Sequence, residues 1–341
     1  MPTGDTRTTI AEIAALAGVS APTVSKVLNG RGGIAPETRD RIQELLAQNG
    51  YRRRGTTKRQ PVGLIDFVIR DIDSIWAMPL LKGAEEEVAR AGVNLVLMST
   101  HGRRVGNKHW IQQLASRRTD AVVLVVSELQ PGAEEELSRL NTPVVLVDPV
   151  GSTTTNIPAI AATNWAGGLA ATEHLIELGH TRIGMVTGPE DVMCARDRLD
   201  GYRAALTRAG INVDHELEVY GDFQLPSGVA GAAKLLSLAQ PPTAIFAGSD
   251  LQAAGIYEEA QRRGMSIPQD LSVVGFDDVL VSEWITPRLT TVRQPLEQMA
   301  REAIRTAMAL AHDDTAPQPR VELATSLVVR NSTAPPRTLS D

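Results

Sequence analysis

Cysteine is almost missing from this chain. Cys194 stands alone among 341 residues, so no intrachain disulfide can hold the fold. That usage fits a reducing compartment. Its neighbours Val192, Met193 and Ala195 point to a small buried side chain and offer nothing that would activate a thiolate. Aromatic residues are scarce at 4%, so each Trp or Phe is worth locating. Long apolar runs are missing as well. None approaches the roughly 20 residues of a membrane span, and the opening MPTGDTRTT is too polar for a secretory signal. A cytoplasmic protein with no membrane partner is expected. The six histidines are scattered, which predicts no metal site, and no cofactor is expected. No G-x-G-x-x-G follows a first strand, and there is no P-loop or G-x-S-x-G. Gly188-Pro189-Glu190 lacks the Lys and Ser/Thr of a phosphate cradle. These absences argue against an enzyme.

What is present is a soluble composition, 43% hydrophobic and 22% charged, long enough for more than one core. The net charge of −6 conceals an asymmetry. Residues 1–60 hold ten Lys/Arg and five Asp/Glu, leaving the remainder strongly acidic. A basic front end on an acidic body is suited to meeting a polyanion.

Three short helices are legible in that front end. Thr9-Ile10-Ala11-Glu12 has capping-box spacing, and Ile10, Ile13, Ala14 and Ala17 follow on one face. Gly18 breaks this helix, and Ser20 can cap a second with Pro22 in its first turn. Val24, Val27 and Leu28 give the second helix its apolar face. A third helix runs from about Pro36 to Gln48 with Ile42, Leu45 and Leu46 inward, ending at Asn49-Gly50. Three helices with a tight Ala-Gly-Val-Ser turn make a helix-turn-helix.

The run from Thr9 to Tyr51 resembles the headpiece of the LacI/GalR family almost continuously. That resemblance implies that the second helix enters the major groove. Ala21 and Pro22 would then lie at base-reading positions, with Lys26 one turn later. Ala and Pro offer no side-chain donor, whereas Lys26 could donate to a guanine O6 or N7. Thr23, Ser25 and Asn29 are candidate phosphate or base partners. The linker departs from the family pattern. Residues 52–60 are short and basic, and they lack the Leu of the usual hinge helix. Arg52, Arg53 and Arg54 are read as a basic arm for phosphates or a narrow minor groove; a solvated linker is the alternative.

From residue 61 onward, apolar runs alternate with amphipathic segments. The runs are 62–69, 93–99, 121–126 and 143–148, then 182–188, 243–248 and 271–276. This pattern predicts parallel sheets covered on both faces, arranged as two doubly wound lobes. Ligands in such folds bind beyond the carboxyl ends of strands. That rule singles out Asp73, Ser74 and Trp76 after the first strand, Asp148 after the fourth, and Arg198, Asp250 and Asp277 in the second lobe. Carboxylates, arginine and an aromatic facing one cleft suit a polyhydroxylated ligand.

ARDRLDGYRAAL (195–206), GDFQLPSG (221–228), FAGSDLQAAG (246–255), LSVVGFDD (271–278) and PRLTTVRQP (287–295) are similar to blocks of LacI/GalR sensor domains. The resemblance implies a periplasmic-binding-protein-like sensor with crossovers near 162–164, 289–292 and 317–321. The expected organisation is an all-α headpiece (8–51), a short linker (52–60) and an α/β sensor (61–333). Lobe 1 would take about 61–162 and 293–316, and lobe 2 about 163–290 and 321–333. By the same resemblance, Arg198, Phe223, Ser249, Asp250 and Asp277 match effector-contacting or cleft positions, and Trp76 matches the aromatic after the first strand. Capping remains an alternative role for Asp250 and Asp277. The implied function is a homodimeric, sugar-controlled repressor that binds operator DNA, with residues 78–92 a candidate dimer contact. DIDSIWAMPLLKG resembles a subgroup linked to plant cell-wall sugars, which favours a xylo- or cello-oligosaccharide. The alternatives are a corepressor system with a nucleobase effector, or a sugar-binding protein without DNA function.

Overall fold

The computed structural model describes residues 9–28, 34–48, 62–101, 108–125, 132–138, 140, 142–148, 157–312 and 320–337. They belong to two compact units, divided between Gln60 and Pro61.

The first unit contains α1 (Ile10–Ala17), α2 (Ala21–Leu28) and α3 (Pro36–Gln48). The Thr9 and Glu12 side chains each bond the other's backbone N–H, completing the capping box. Gly18 takes φ 67° and closes α1 in the left-handed region, where glycine carries no Cβ penalty. Ser20 Oγ accepts from Thr23 N at 3.4 Å at the start of α2. Ile13, Ala14, Ala17, Val24, Val27 and Ile42 form the core, with Leu45 and Leu46 half-buried beside them.

The second unit holds two six-stranded sheets. The first comprises β1 (Leu64–Ile69), β2 (Asn94–Ser99), β3 (Ala121–Val125), β4 (Val144–Val147), β5 (Ala159–Ala162) and β11 (Arg320–Leu323), in the order β11-β5-β4-β3-β1-β2. Helices α4 (Ala77–Ala91) and α12 (Leu296–Ala311) pack on one face, while α5 (Lys108–Ser116) and α6 (Ala133–Ser138) pack on the other. The second sheet comprises β6 (Ile183–Thr187), β7 (Glu218–Tyr220), β8 (Ala244–Ala247), β9 (Ser272–Asp277), β10 (Thr290–Arg293) and β12 (Ser326–Val328), ordered β12-β10-β9-β8-β6-β7. Here α7 (Asn164–Glu177) and α8 (Met193–Arg208) cover one face, and α9 (Leu225–Leu235) and α10 (Asp250–Arg262) the other. A short α11 (Val281–Trp284) follows β9. Neighbouring strands run parallel except β10 and β12. Burial on both faces explains the unbroken apolar runs: every residue of β3, β4, β6 and β8 is buried.

Two of the three expected crossovers shift. The first falls at Thr163, between β5 and α7. The second was placed at 289–292, but Thr290–Arg293 pairs with β9, so the chain leaves the second lobe only at 294–295. The third was placed at 317–321. Arg320–Leu323 instead pairs with β5 in the first sheet, which moves the crossover to 324–325. The returning part of lobe 1 therefore includes α12 and β11 rather than ending at 316. Both strands are only four residues long, and their periodicity is too brief to assign them to a sheet from sequence.

Candidate functional site

In the headpiece, Ala21, Pro22 and Lys26 lie exposed on α2, and Thr23 and Ser25 are half-buried. The Thr23 hydroxyl is 2.8 Å from Ser20 Oγ, so it takes part in the helix cap. The candidates Asn29, Arg52, Arg53 and Arg54 lie outside the described residues.

In the second unit, the strand ends converge on Arg198. This side chain, on α8, is 3% exposed. Its Nε donates to Asn164 Oδ1 at 2.9 Å and its Nη1 to Gly248 O at 2.5 Å. The guanidinium lies 3.7 Å from the Phe276 ring centroid and 5.3 Å from that of Phe223. A cation between two aromatic faces is held by packing as well as charge, and Arg is suited to that because its planar group stacks. Arg198 Nη1 is also 3.7 Å from Asp277 Oδ1.

Phe223 adopts φ 67°, unusual for a residue with a side chain. Its ring occupies the space a side chain at Gly188 would need. Ser249 caps α10 by accepting from Gln252 N at 3.1 Å, and its hydroxyl donates to Phe223 O at 2.8 Å. Ser249 thus fixes the turn that presents Phe223. Asp148 ends β4 with φ 50° and brings a first-lobe carboxylate to Arg198. Burial raises its pKa, opposed by Arg198 and by hydrogen bonds from Cys194 and Asn164. Burial likewise pushes the Asp277 carboxyl up to about 7, against the pull of Arg198 and Gln294. Two carboxylates therefore share one guanidinium in a poorly solvated place.

The structure corrects the reading of Asp250. Asp250 is fully buried, and its oxygens accept from Val279 N at 2.8 Å and Thr291 Oγ1 at 2.5 Å. Solvent does not reach it, so it is an internal tie rather than an effector-facing group. Val279, which it holds, packs into the first lobe's core. Nor does Asp250 cap α10; Ser249 does. Trp76 sits in helical conformation ahead of α4, packed half-buried against the first lobe's core, because its flat face covers apolar surface there. Asp73 is exposed and Ser74 half-buried in the turn before α4. No hydrogen bond or ion pair among the described residues joins Asp73, Ser74 or Trp76 to the Arg198 cluster. Sequence reasoning missed Asn164, Phe276 and Gln294 as partners. Asn164 lay at the expected first crossover, where a polar side chain in an apolar stretch was the available signal.

Residues 9–54 match the family model described as bacterial regulatory proteins, lacI family, and residues 172–333 match a periplasmic binding protein-like domain. The chain is 32% identical to the ribose operon repressor of Escherichia coli (strain K12) over 95% of its own length and 99% of the relative. Among solved structures, the transcriptional regulator CelR–cellobiose complex has a TM-score of 0.74 at 32% identity, covering 96% of this chain and all of that one. The lac repressor dimer bound to operator and the anti-inducer ONPF has a TM-score of 0.72 at 25% identity, covering 96% and 99%.

Proposed function

The chain belongs to the lacI family of bacterial regulatory proteins, and from that premise we propose that it is a cytoplasmic, non-enzymatic repressor whose hold on operator DNA is set by a sugar between the two sensor lobes. The observation that carries this reading is the Arg198 cluster. A buried guanidinium, clamped by Asn164, Gly248 O and Phe276, faces Asp277 of its own lobe and Asp148 of the other. A ligand bridging the carboxylates and the remaining guanidinium donors would tie the lobes together, and vicinal hydroxyls offer both donors and acceptors for this. Two acids against one base disfavour a phosphate or carboxylate ligand. Phe223 supplies an apolar face for the C–H side of a sugar ring.

In this reading α2 enters the major groove with Ala21, Pro22 and Lys26 outward, and Thr23, Ser25 and Asn29 near the backbone. Arg52, Arg53 and Arg54 add phosphate contacts. Ser249 positions Phe223. A homodimer would set two headpieces over a pseudo-palindrome. For the dimer contact, α4 has exposed Met78 available, but its other side is taken by α12 through Lys82–Glu297 and Glu86–Arg301. The similarity to the ribose operon repressor and to the CelR–cellobiose complex makes ribose and cellobiose the first sugars to test.

The test is a fluorescence-anisotropy titration of the full chain into genome-selected duplexes, with and without ribose, cellobiose and xylobiose. We expect tight, salt-sensitive binding that one sugar weakens. Binding no better than to random DNA, across all selected fragments, overturns the reading.

A further inference from the structure

The three crossovers are fastened differently. The first and third are bound to each other. Thr163 N donates to Leu323 O at 3.0 Å, Thr325 N to Thr163 Oγ1 at 2.9 Å, and Thr325 Oγ1 to Thr163 O at 3.2 Å. The second is bound to the cleft. Gln294 Nε2 donates to Asp277 Oδ1 at 2.6 Å, and Gln294 N donates to Asp277 O at 3.2 Å. Beside it, Arg293 Nε donates to Asp278 Oδ2 at 2.6 Å. Asp277 Oδ1 is the same oxygen that faces Arg198. Gln294 is 4% exposed, and its Oε1 has no hydrogen-bond partner among the described residues. A buried acceptor left unpaired is rare in folded proteins and calls for a reason.

We propose that Gln294 is a positioning residue that carries the state of the cleft to the second crossover. While Asp277 faces only Arg198, its Oδ1 holds the Gln294 amide and fixes the crossover. A ligand hydroxyl donated to that oxygen competes with the amide. The side chain then turns, the unpaired Oε1 gains a donor, and the start of α12 moves. Because α12 lies in the first lobe's core and is pinned to α4 by Lys82–Glu297 and Arg301–Glu86, the lobe moves with it. The ligand part of this proposal rests on the cleft reading above.

The test uses neither ligand nor DNA, so its failure is distinguishable from failure of the regulator reading. Cys194 is the chain's only cysteine, 8% exposed on α8, packed beside Phe223 and within hydrogen-bonding reach of Asp148 of the opposite lobe. Its alkylation rate by N-ethylmaleimide in the folded full chain therefore reports lobe opening. Gln294→Leu removes the amide at similar size, and we expect labelling to accelerate roughly tenfold, the scale of one charge-assisted hydrogen bond. Gln294→Glu places two carboxylates together and accelerates it further. The double variant D277N/Q294E exchanges donor and acceptor, and it restores labelling to within about threefold of the parent, which loss of packing alone would not do. Gln294→Asn, with the amide withdrawn by one methylene, replaces the leucine variant if that one does not fold. Labelling within about twofold of the parent in Gln294→Leu (or in its Asn replacement), or acceleration that the exchange does not reverse, overturns the proposal.

Discussion

The two lobes share one strand order. In each, the second strand lies at an edge, followed by the first, third, fourth and fifth, with a late strand closing the far side. Yet their contributions to the cleft are unequal. The second lobe supplies Arg198, Asn164, Phe223, Phe276 and Asp277, already locked together. Among the described residues, the first lobe brings the Asp148 carboxylate to that cluster. Within one topology, the described residues thus put most of this cluster in the second lobe. In general, a site assembled within one rigid element needs less ordering on binding than one assembled across a moving boundary.

The largest effect is expected at Arg198. Arg198→Met leaves the buried Asp277 and the half-buried Asp148 without their cation. Removing one partner of a buried charge cluster costs about 3 kcal/mol or more. Thermal denaturation is expected to show that loss, and titration with whichever sugar binds the parent to show affinity reduced by at least about a hundredfold. Glycines sharpen the comparison further. A side chain at Gly83 would overlap the Glu297 backbone where α4 meets α12, and one at Gly168 would overlap the Arg198 backbone where α7 meets α8. No flexible group can yield at either place, so Gly83→Ala and Gly168→Ala each destabilise by about 2 kcal/mol. Only Gly168→Ala should also weaken sugar binding, because it displaces the helix bearing Arg198. Equal losses of affinity would mean that the two lobes share the site more evenly than the hydrogen bonds indicate. A smaller effect is expected at Asp148. Asp148→Asn removes a burial-disfavoured charge, so the melting temperature holds or rises slightly, while sugar affinity falls by about tenfold.

Much of this inequality was hidden from the sequence, although the architecture was not. Apolar runs placed β1, β3, β6 and β8 because strands buried on both faces have no polar alternation to obscure them. The capping box at Thr9–Glu12 and the turn at Gly18 located α1 because both signals are local. Arg198 and Asp277 stood out as charged residues at the ends of apolar strands or within a recognisable block. Asp250 stood out in the same way and is buried, because sequence does not tell which end of a carboxylate meets a backbone N–H. Phe276 was unremarkable as one more apolar residue of β9; its role depends on Arg198 stacking over it, a contact between segments 78 positions apart. Gln294 was invisible for the same reason.

The smallest expected effect is on the pH dependence of stability. Asp277 has its pKa raised by burial to about 7, above the value of an exposed carboxyl. Between those two values the folded chain keeps a proton that the unfolded chain has lost, so this group lowers stability as pH rises through about 7. His180 works in the opposite sense. It is 1% exposed in the second lobe, with Nδ1 2.8 Å from Thr243 Oγ1, and burial lowers its pKa. Its contribution is present above the unfolded value and lost as pH falls below it. Melting temperature should therefore rise by about one to three degrees as pH is lowered from 8 toward 6.5, then turn over below it. Asp277→Asn should flatten the upper limb and leave the turnover, since Asn does not titrate and His180 lies in a different cluster. If the upper limb persists in Asp277→Asn, the buried proton belongs to another carboxyl that burial raises, Asp148 of the first lobe or Asp250 of the second.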